Sequence, residues 1–245
     1  MQAVKAALFL DLFPFLCTVL GAAAVLVKPG SVQPALRKSA LGLAAGVMLA
    51  VSVFGLLQPA IQEAAESGQK AWLCASAGLV MGAAFLQLTE QLAQNLLGSG
   101  KSMLALAMAL HNLPQGMAVG LAGALALQGE AGLVAGAVGL SFGIGLQNVP
   151  EGAAVSFCLS AGGKNQKTAF WQGAATALVE PAGALLAGLL ATRLLQAMPW
   201  LLSLAAGTMV CVTVEELLPK AAEKGEGGFY VVLGFAFMMV LELLL

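Results

Sequence analysis

Residues 111–120 read HNLPQGMAVG, and residues 147–156 repeat the phrase as QNVPEGAAVS. The two copies share Asn, Pro, Gly, Ala and Val at equivalent positions. Each copy lies inside a long apolar stretch, where a polar side chain is costly and therefore needs a reason. Positions three and four apart share one face of a helix. The repeated phrase therefore predicts two helices that each carry one polar face.

Imidazole, amide and carboxylate groups make up these faces: His111, Asn112 and Gln115 on the first helix, and Gln147, Asn148 and Glu151 on the second. Each phrase also contains a proline, which lacks an N–H and frees the carbonyl four residues earlier. Such a break is tolerated in a bilayer only where protein, water or a ligand satisfies that carbonyl. Two helices of this kind predict an ion site.

A third helix adds Glu180, which lies in the middle of an apolar stretch and precedes Pro181. A carboxylate at that depth takes up a proton or needs a cation. No Lys or Arg lies deep in the apolar stretches to pair with it, so protonated, purely structural acids are the alternative to a bound cation. Glu151 and Glu180 together neutralise one divalent ion, and imidazole with carboxylate suits Zn²⁺ and its first-row neighbours.

The composition of the 245 residues, 60% hydrophobic and only 9% charged, excludes a soluble domain and indicates a polytopic membrane protein. The net charge of −1 argues against a nucleic-acid partner. Aromatic residues are few and the 30 glycines favour helices packed through small residues over a β-barrel. The expected fold class is therefore an all-α membrane protein.

Eight segments reach the length of about 20 apolar residues that a bilayer requires. Numbered as spans 1 to 8, they are residues 6–27, 39–59, 71–88, 102–125, 131–160, 169–192, 199–219 and 228–245. They fill the chain, so we expect a single transmembrane domain over 1–245. A cleaved signal peptide is the rival interpretation of span 1, but Asp11 and Pro14 inside it argue against cleavage.

Eight of the 11 Lys and Arg residues fall in the odd-numbered loops. The positive-inside rule then makes those loops cytoplasmic and places both termini outside.

Internal similarity predicts an inverted repeat. The segment LAAGVMLAVSVFGLL (43–57) matches LAAGTMVCVTVEELL (204–218), and GAAFLQLTE (82–90) matches GFAFMMVLE (234–242). Span 2 thus pairs with span 7, span 3 with span 8, and span 4 with span 5. The members of each pair point in opposite directions, as in alternating-access transporters, whose site lies near the midplane between the repeats.

Proline placement divides the spans in another way. Spans 1, 4, 5 and 6 each contain an internal proline, and spans 2, 3, 7 and 8 have none away from their ends. We expect the first group to carry the site and the second to be a straighter scaffold. Glycines four apart, such as Gly116 with Gly120 and Gly132 with Gly136, predict close helix packing around the site.

HNLPQG in span 4, QNVPEG in span 5 and the Glu-Pro of span 6 resemble the ZIP (Zrt/Irt-like) divalent-metal transporters, and the chain is most similar to their prokaryotic GufA-type branch. The resemblance implies eight helices in a 3+2+3 inverted repeat, extracellular termini, a homodimer in the prokaryotic plasma (inner) membrane, and an elevator-like movement of spans 1, 4, 5 and 6. It also implies a metal path between spans 4 and 5. The implied ligand positions are His111, Asn112, Gln147, Asn148, Glu151 and Glu180.

The sequence departs from this resemblance at Gln115, where the family usually has Glu. An amide bridges two metal ions poorly, so we expect one well-occupied ion of lowered affinity, with Gln115 as a weaker candidate ligand.

The predicted function is transport of Zn²⁺, or of Fe²⁺, Mn²⁺, Co²⁺ or Cd²⁺, from outside into the cytoplasm. The metal is then a transported substrate, with no prosthetic group, and the expected partners are the lipid bilayer and a second copy of the chain. The alternative is an inverted-repeat carrier of a monovalent ion or a small solute coupled to H⁺ or Na⁺. The sequence has no H-E-x-x-H, no G-x-S-x-G and no pair of intramembrane aspartates, which argues against an enzyme.

Overall fold

The computed structural model describes residues 1–27, 34–97, 102–127, 131–222 and 227–244, and all regular structure in these ranges is helical. The α-helices are α1 Gln2–Val27, α2 Pro34–Ala50, α3 Gln58–Glu66, α4 Ala71–Leu97, α5 Ser102–Ala126, α6 Ala131–Ala161, α7 Gln166–Thr176, α8 Val179–Leu194, α9 Met198–Val212, α10 Leu218–Ala222 and α11 Gly227–Leu244. Two π-helical segments, Val51–Leu57 and Thr213–Leu217, and a 3₁₀ turn, Leu195–Ala197, connect some of them.

Seven helical stretches in the described part of the chain are long and apolar enough to cross a membrane. They are Gln2–Val27, Leu41–Glu66, Ala71–Leu92, Gly132–Phe157, Gln166–Ala191, Met198–Leu217 and Gly227–Leu244. The prediction of an all-helical protein with membrane-spanning segments is therefore confirmed for the described ranges. The remaining predicted span, 102–125, coincides with α5 but is not among these seven, so the count of eight stays a prediction.

Helix packing brings α1, α5, α6 and α8 together, and α5 also packs on α9 and α4. The most extensive contacts pair α1 with α6, α5 with α8, α2 with α11 and α4 with α9. Helix α1 also packs on α5 and α8, and α5 packs on α6. The helices of the four spans that contain an internal proline are thereby neighbours of one another, and they bring the polar phrases of α5 and α6 next to the Glu-Pro of α8.

Spans 2 and 7 are less regular than expected. Each contains a wide π-helical turn, and each turn is followed two residues later by a proline, Pro59 or Pro219. A proline cannot bond the carbonyl four residues earlier, and its ring crowds that carbonyl. A wider turn relieves the clash, which accounts for the π-helical turn in each span. A proline near the end of a span therefore indicates an irregular turn, which the expectation of straighter helices for spans 2 and 7 left out.

The glycine spacing predicted close packing correctly at one pair and wrongly at another. A Cβ at Gly120 would lie 2.6 Å from the Cα of Ala184, so α5 and α8 approach closely there. Cβ atoms at Gly132 and Gly136 would meet nothing within 4 Å in the described part of the chain. The spacing identifies a small-residue stripe but does not say whether another helix covers it.

Candidate metal-transport site

Two continuous helices hold the repeated phrases. Helix α5 runs through Pro114, and α6 runs through Pro150, without ending at either proline. Each phrase therefore places its polar residues on a helical turn, as the spacing predicted. The described candidate side chains are almost fully inaccessible, with exposed fractions of 0–1%: Asn112, Gln115, Gln147, Asn148, Glu151 and Glu180.

Two side-chain hydrogen bonds join three helices at one level. The Asn148 amide nitrogen donates to a Glu180 carboxylate oxygen at 2.6 Å, which links α6 to α8. The neighbouring Gln147 amide nitrogen donates to the Gln115 side-chain oxygen at 3.3 Å, which links α6 to α5. We call these four residues the polar layer. They converge because Gln147 and Asn148 are adjacent in sequence and point to different neighbouring helices.

The polar layer leaves several buried atoms without a hydrogen-bond partner among the described residues: Gln147 Oε1, Asn148 Oδ1, Glu180 Oε2 and Gln115 Nε2. A buried polar atom without a partner costs about 1–3 kcal/mol, so such atoms are rare in folded proteins. Three of the four are oxygens, the atom type that binds a cation. Their chemistry is that of an ion site of one carboxylate and two amide carbonyls.

Glu180 sits where the backbone of the sixth predicted span is interrupted. Helix α7 ends at Thr176 and α8 begins at Val179, with a tight turn between them in which the Glu180 N–H bonds the Ala177 carbonyl at 3.2 Å. The carboxyl group therefore lies in the first turn of α8, where the helix dipole stabilises negative charge. Pro181 predicted a disturbed helix, and the structure places the break just before Glu180.

Glycines let the backbones approach beside the polar layer. A Cβ at Gly116 would overlap the carbonyl oxygen of Glu180, and a Cβ at Gly152 would overlap that of Thr18. Helices α5 and α8, and likewise α6 and α1, are therefore in direct backbone contact at this level. This closeness allows short amide and carboxylate side chains to reach across from one helix to the next.

The ZIP zinc transporter family model matches residues 91–242, which include all of the candidate site residues. The chain belongs to this family. It is similar to the zinc transporter GufA of Myxococcus xanthus, with 34% identity over 92% of this chain and 93% of the relative. It is also similar to the zinc transporter ZupT of Corynebacterium aurimucosum, with 30% identity over 92% of this chain and 91% of the relative. The human zinc transporter ZIP11 is 28% identical over 98% of this chain and 97% of the relative.

Membership in the ZIP family confirms the resemblance that the two phrases indicated and settles the broad class of protein. ZIP proteins are transporters, so the chain is not an enzyme. The metal in the names of the ZIP relatives is a transported substrate and not a prosthetic group.

The structure of this ZIP protein brings some of the predicted ligands together and leaves others untested. Glu151 lies one turn beyond Gln147 on α6 and is buried like the rest of the phrase. Asn112 lies one turn before Gln115 on α5. The His111 backbone belongs to α5, but its side chain is outside the described residues. Among the described residues, no three His, Cys, Asp or Glu side chains form a group that could hold a metal. A bound metal would therefore have to use amide oxygens, water or His111 as well.

Sequence reasoning missed one buried acid, Asp11 of α1. Its side chain is 1% exposed and lies on the buried stripe of α1. Asn148 reaches the same part of α1, because its amide nitrogen also donates to the Pro14 carbonyl at 3.3 Å. The signal was present in the sequence as a lone carboxylate in an apolar stretch, but it lay far along the chain from the repeated phrase.

Proposed function

We propose that this ZIP protein carries a divalent transition-metal ion, foremost Zn²⁺, across the membrane into the cytoplasm by alternating access. One observation carries the proposal: the buried polar layer, tied together across α5, α6 and α8, keeps three unpartnered oxygens among the described residues of a membrane protein. The ion is held near the midplane between α5 and α6. Its ligands are drawn from His111, Asn112, Gln115, Gln147, Asn148, Glu151 and Glu180.

The roles follow from the chemistry of each group. Glu151 and Glu180 supply the two negative charges that neutralise a divalent ion and lower the cost of holding it away from water. His111 supplies a nitrogen ligand, which favours Zn²⁺ and its neighbours over Mg²⁺ or Ca²⁺. The amide oxygens replace part of the hydration shell. With no thiolate in the set, the site binds less tightly than a structural zinc site, and a carrier must release its ion.

The proposal includes a single well-occupied ion. The Gln115 side-chain oxygen already accepts a hydrogen bond from Gln147. A neutral amide engaged in this way is a poor bridge between two divalent ions, which would need more negative charge than Glu151 and Glu180 provide. Metal analysis of the purified protein tests this point, and two tightly held ions per chain would contradict it.

We also propose that eight spans form an inverted repeat, and corresponding glycine contacts support it. In the match between spans 2 and 7, Gly46 corresponds to Gly207. Extending the match between spans 3 and 8 by three residues pairs Leu79 with Val231. A Cβ at Gly46 would overlap the Val231 carbonyl, and a Cβ at Gly207 would overlap the Leu79 carbonyl. The α2–α11 and α9–α4 contacts thus use equivalent atoms on the two sides of the proposed repeat.

Two further pairs extend the same correspondence to spans 1 and 6, which show no match by sequence. The Gly116 contact with the Glu180 carbonyl corresponds to the Gly152 contact with the Thr18 carbonyl. In this register Glu180 corresponds to Thr18. Only one half of the proposed repeat therefore carries an acid at that position, which makes the site asymmetric.

The π-helical turns agree with the repeat as well. Ser52 donates to the Met48 carbonyl at 2.7 Å, and Thr213 donates to the Met209 carbonyl at 2.7 Å. These residues correspond in the match between spans 2 and 7.

The packing of α1, α5, α6 and α8 on one another supports the proposed division into four site-bearing and four scaffold spans, and with it an elevator-like movement.

The resemblance to the GufA-type branch supports a homodimer in the prokaryotic inner membrane with both termini outside. Labelling of single cysteines introduced at each terminus, applied to intact cells, tests the orientation. If the termini are labelled only after cell lysis, they lie in the cytoplasm and the proposed orientation is wrong.

Uptake into proteoliposomes tests the transport function. We expect saturable Zn²⁺ uptake by the wild-type protein and its loss in Glu151→Gln, Glu180→Gln and His111→Ala. Ser203→Ala is the matched control, because it removes a buried hydroxyl from α9, away from the polar layer. Wild-type uptake in all three site variants would overturn the assignment. Uptake of Na⁺ or of a solute, with no competition by divalent ions, would favour the alternative carrier.

A further inference from the structure

Asp11 is a buried carboxylate that the proposed metal ligands do not include. It lies on the buried stripe of α1 between Ala7 and Pro14. Ala7 packs beside Gly188 of α8, and the Pro14 carbonyl accepts the Asn148 amide of α6. Asp11 therefore faces the region between α6 and α8, one helical turn from the polar layer towards the N-terminus of α1.

Neither carboxylate oxygen of Asp11 has a hydrogen-bond partner among the residues that the structure describes. An ionised carboxylate accepts several hydrogen bonds in a satisfied site, and a protonated one donates its O–H to an acceptor. Asp11 meets neither requirement, so a purely structural role leaves its burial unexplained. A side chain that is 1% exposed also cannot rely on bulk water for compensation.

Glu180 is the nearest acid that the hydrogen bonds place beside this part of α1. The Asn148 amide nitrogen donates both to the Glu180 carboxylate and to the carbonyl of Pro14, which lies three residues after Asp11 on α1. Glu180 also keeps one oxygen, Oε2, without a partner in the described ranges. Two buried carboxylates near each other cannot both stay charged unless a cation lies between them, and a proton on Asp11 would need an acceptor that the described residues do not supply. The two carboxylates lack a nearby positive charge and partners for their free oxygens. A divalent cation bound between them supplies both.

We propose that Asp11 is a further cation ligand, which together with Glu180 forms a second station on the ion path, one turn of α1 away from the polar layer. This inference rests on the proposed transport function. An ion moving between the polar layer and the N-terminal half of α1 passes from amide and Glu180 oxygens to the Asp11 carboxylate. Glu180 contacts the ion at both stations, so the ion keeps one charged ligand throughout the step. With only two acidic ligands, this second station has a lower affinity for the ion than a structural metal site, which suits a site that holds the ion briefly.

A double-mutant cycle on the full chain in detergent tests whether the two acids share an ion. We expect Asp11→Asn to weaken Zn²⁺ binding by about tenfold or more, and Asp11→Glu to retain most of the affinity. Because both acids act on the same ion, the double variant Asp11→Asn/Glu180→Gln should lose less than the product of the two single losses. A merely structural Asp11 would change unfolding temperature without this coupling in Zn²⁺ affinity.

Glu242→Gln is the matched control. Glu242 is also an acid within a span with an unpartnered oxygen in the described part of the chain, but it contacts Gly143. Ser141 of α6 faces α1, where it bonds the Leu10 carbonyl. Gly143, two residues on, points to the opposite side of α6. We expect Glu242→Gln to leave the coupling between Asp11 and Glu180 unchanged.

The outcomes separate this inference from the transport function. Wild-type Zn²⁺ affinity in Asp11→Asn, with weakened binding in Glu180→Gln, overturns the second station and leaves the proposed transport intact. Unchanged binding and uptake in both variants overturn the transport function itself. If Asp11→Asn does not fold, anomalous scattering from Cd²⁺-soaked crystals of the wild-type protein decides. An ion about 2.3–2.6 Å from an Asp11 oxygen, the range for a cation of the size of Ca²⁺, supports the station, and ions bound only at the polar layer overturn it.

Discussion

Gln115→Glu changes one atom of the polar layer, and the structure predicts that the fold accepts it. The Gln115 side-chain oxygen accepts the Gln147 amide at 3.3 Å, while its Nε2 has no partner among the described residues. Glutamate keeps the accepting oxygen and replaces only the unpartnered nitrogen. A hydrogen bond to a charged acceptor contributes about 1.5–3 kcal/mol, compared with about 1 kcal/mol for a neutral one. The bond to Gln147 should therefore strengthen.

The added charge changes metal binding by a larger amount. At about 4 Å and an effective dielectric constant of about 20, two unit charges attract by about 4 kcal/mol, and a divalent ion doubles this to about 8 kcal/mol. Desolvation of the new carboxylate costs several kcal/mol, and repulsion from Glu151 and Glu180 costs more. A net gain of about 1–3 kcal/mol remains, which is roughly a fivefold to 150-fold increase in Zn²⁺ affinity.

Isothermal titration with Zn²⁺, metal analysis after desalting and thermal unfolding in detergent measure these effects. We expect tighter binding and two ions per chain in Gln115→Glu. We also expect a lower unfolding temperature than the wild type without metal, because three buried acids then lack a counter-ion, and a larger rise when Zn²⁺ is added. One ion per chain with an unchanged Kd would refute the reasoning about charge.

Gln147→Glu is the matched comparison, because it makes the same chemical change on the other side of the same hydrogen bond. Here the donor is lost, and two oxygens face each other across the gap between α5 and α6. We expect destabilisation of about 1–3 kcal/mol with or without metal. If Gln115→Glu is instead the destabilised variant and Gln147→Glu is tolerated, the two amides are oriented in the opposite sense.

Three other outcomes follow from the contacts described above. Gly116→Ala should lower the free energy of unfolding by about 1–3 kcal/mol, because the new Cβ would overlap the Glu180 carbonyl. Gly136→Ala, where the Cβ would lie in open space, should leave it unchanged or raise it by about 0.5–1 kcal/mol. Thermal unfolding measures both changes. Adding Zn²⁺ at about 100 times its Kd should stabilise the wild type by about 2.7 kcal/mol, and a chelator should reverse this; no change in unfolding temperature would contradict a metal site in the folded state. His111→Ala should weaken Zn²⁺ more than Mg²⁺ in competition binding, and an equal loss for both ions would argue against a nitrogen ligand.

The sequence was sufficient to predict which residues are buried at the polar layer. Polar groups inside an apolar stretch are expensive, so their spacing on a helix carries information that apolar residues do not. Gln147 and Asn148 were assigned to one face together with Glu151, and all three are buried. The hydrogen-bond partners were not predictable in this way. Adjacent residues point about 100° apart on a helix, and their targets on α5 and α8 depend on how the helices pack.

Backbone irregularities were harder to predict than burial. Pro181 indicated a disturbed span, but the two-residue turn that separates α7 from α8 depends on backbone geometry that one residue does not specify. The π-helical turns of spans 2 and 7 each precede a proline, whereas the prolines inside α5 and α6 leave those helices continuous. A proline alone does not decide between these outcomes, because whether the freed carbonyl is satisfied depends on the tertiary fold around it.

The unpartnered oxygens suggest how the proposed carrier binds an ion without dismantling its own site. Asn148 holds one oxygen of Glu180 and leaves Oε2 available, and Gln147 holds Gln115 through its nitrogen and leaves Oε1 available. An ion that uses only the available oxygens breaks neither hydrogen bond, so binding carries no cost of about 1–3 kcal/mol for each bond lost. The hydrogen bonds fix the positions of the ligands, while the small number of charges limits the affinity. A site of this kind is preorganised and yet weak, which is the combination that loading on one side of a membrane and release on the other require.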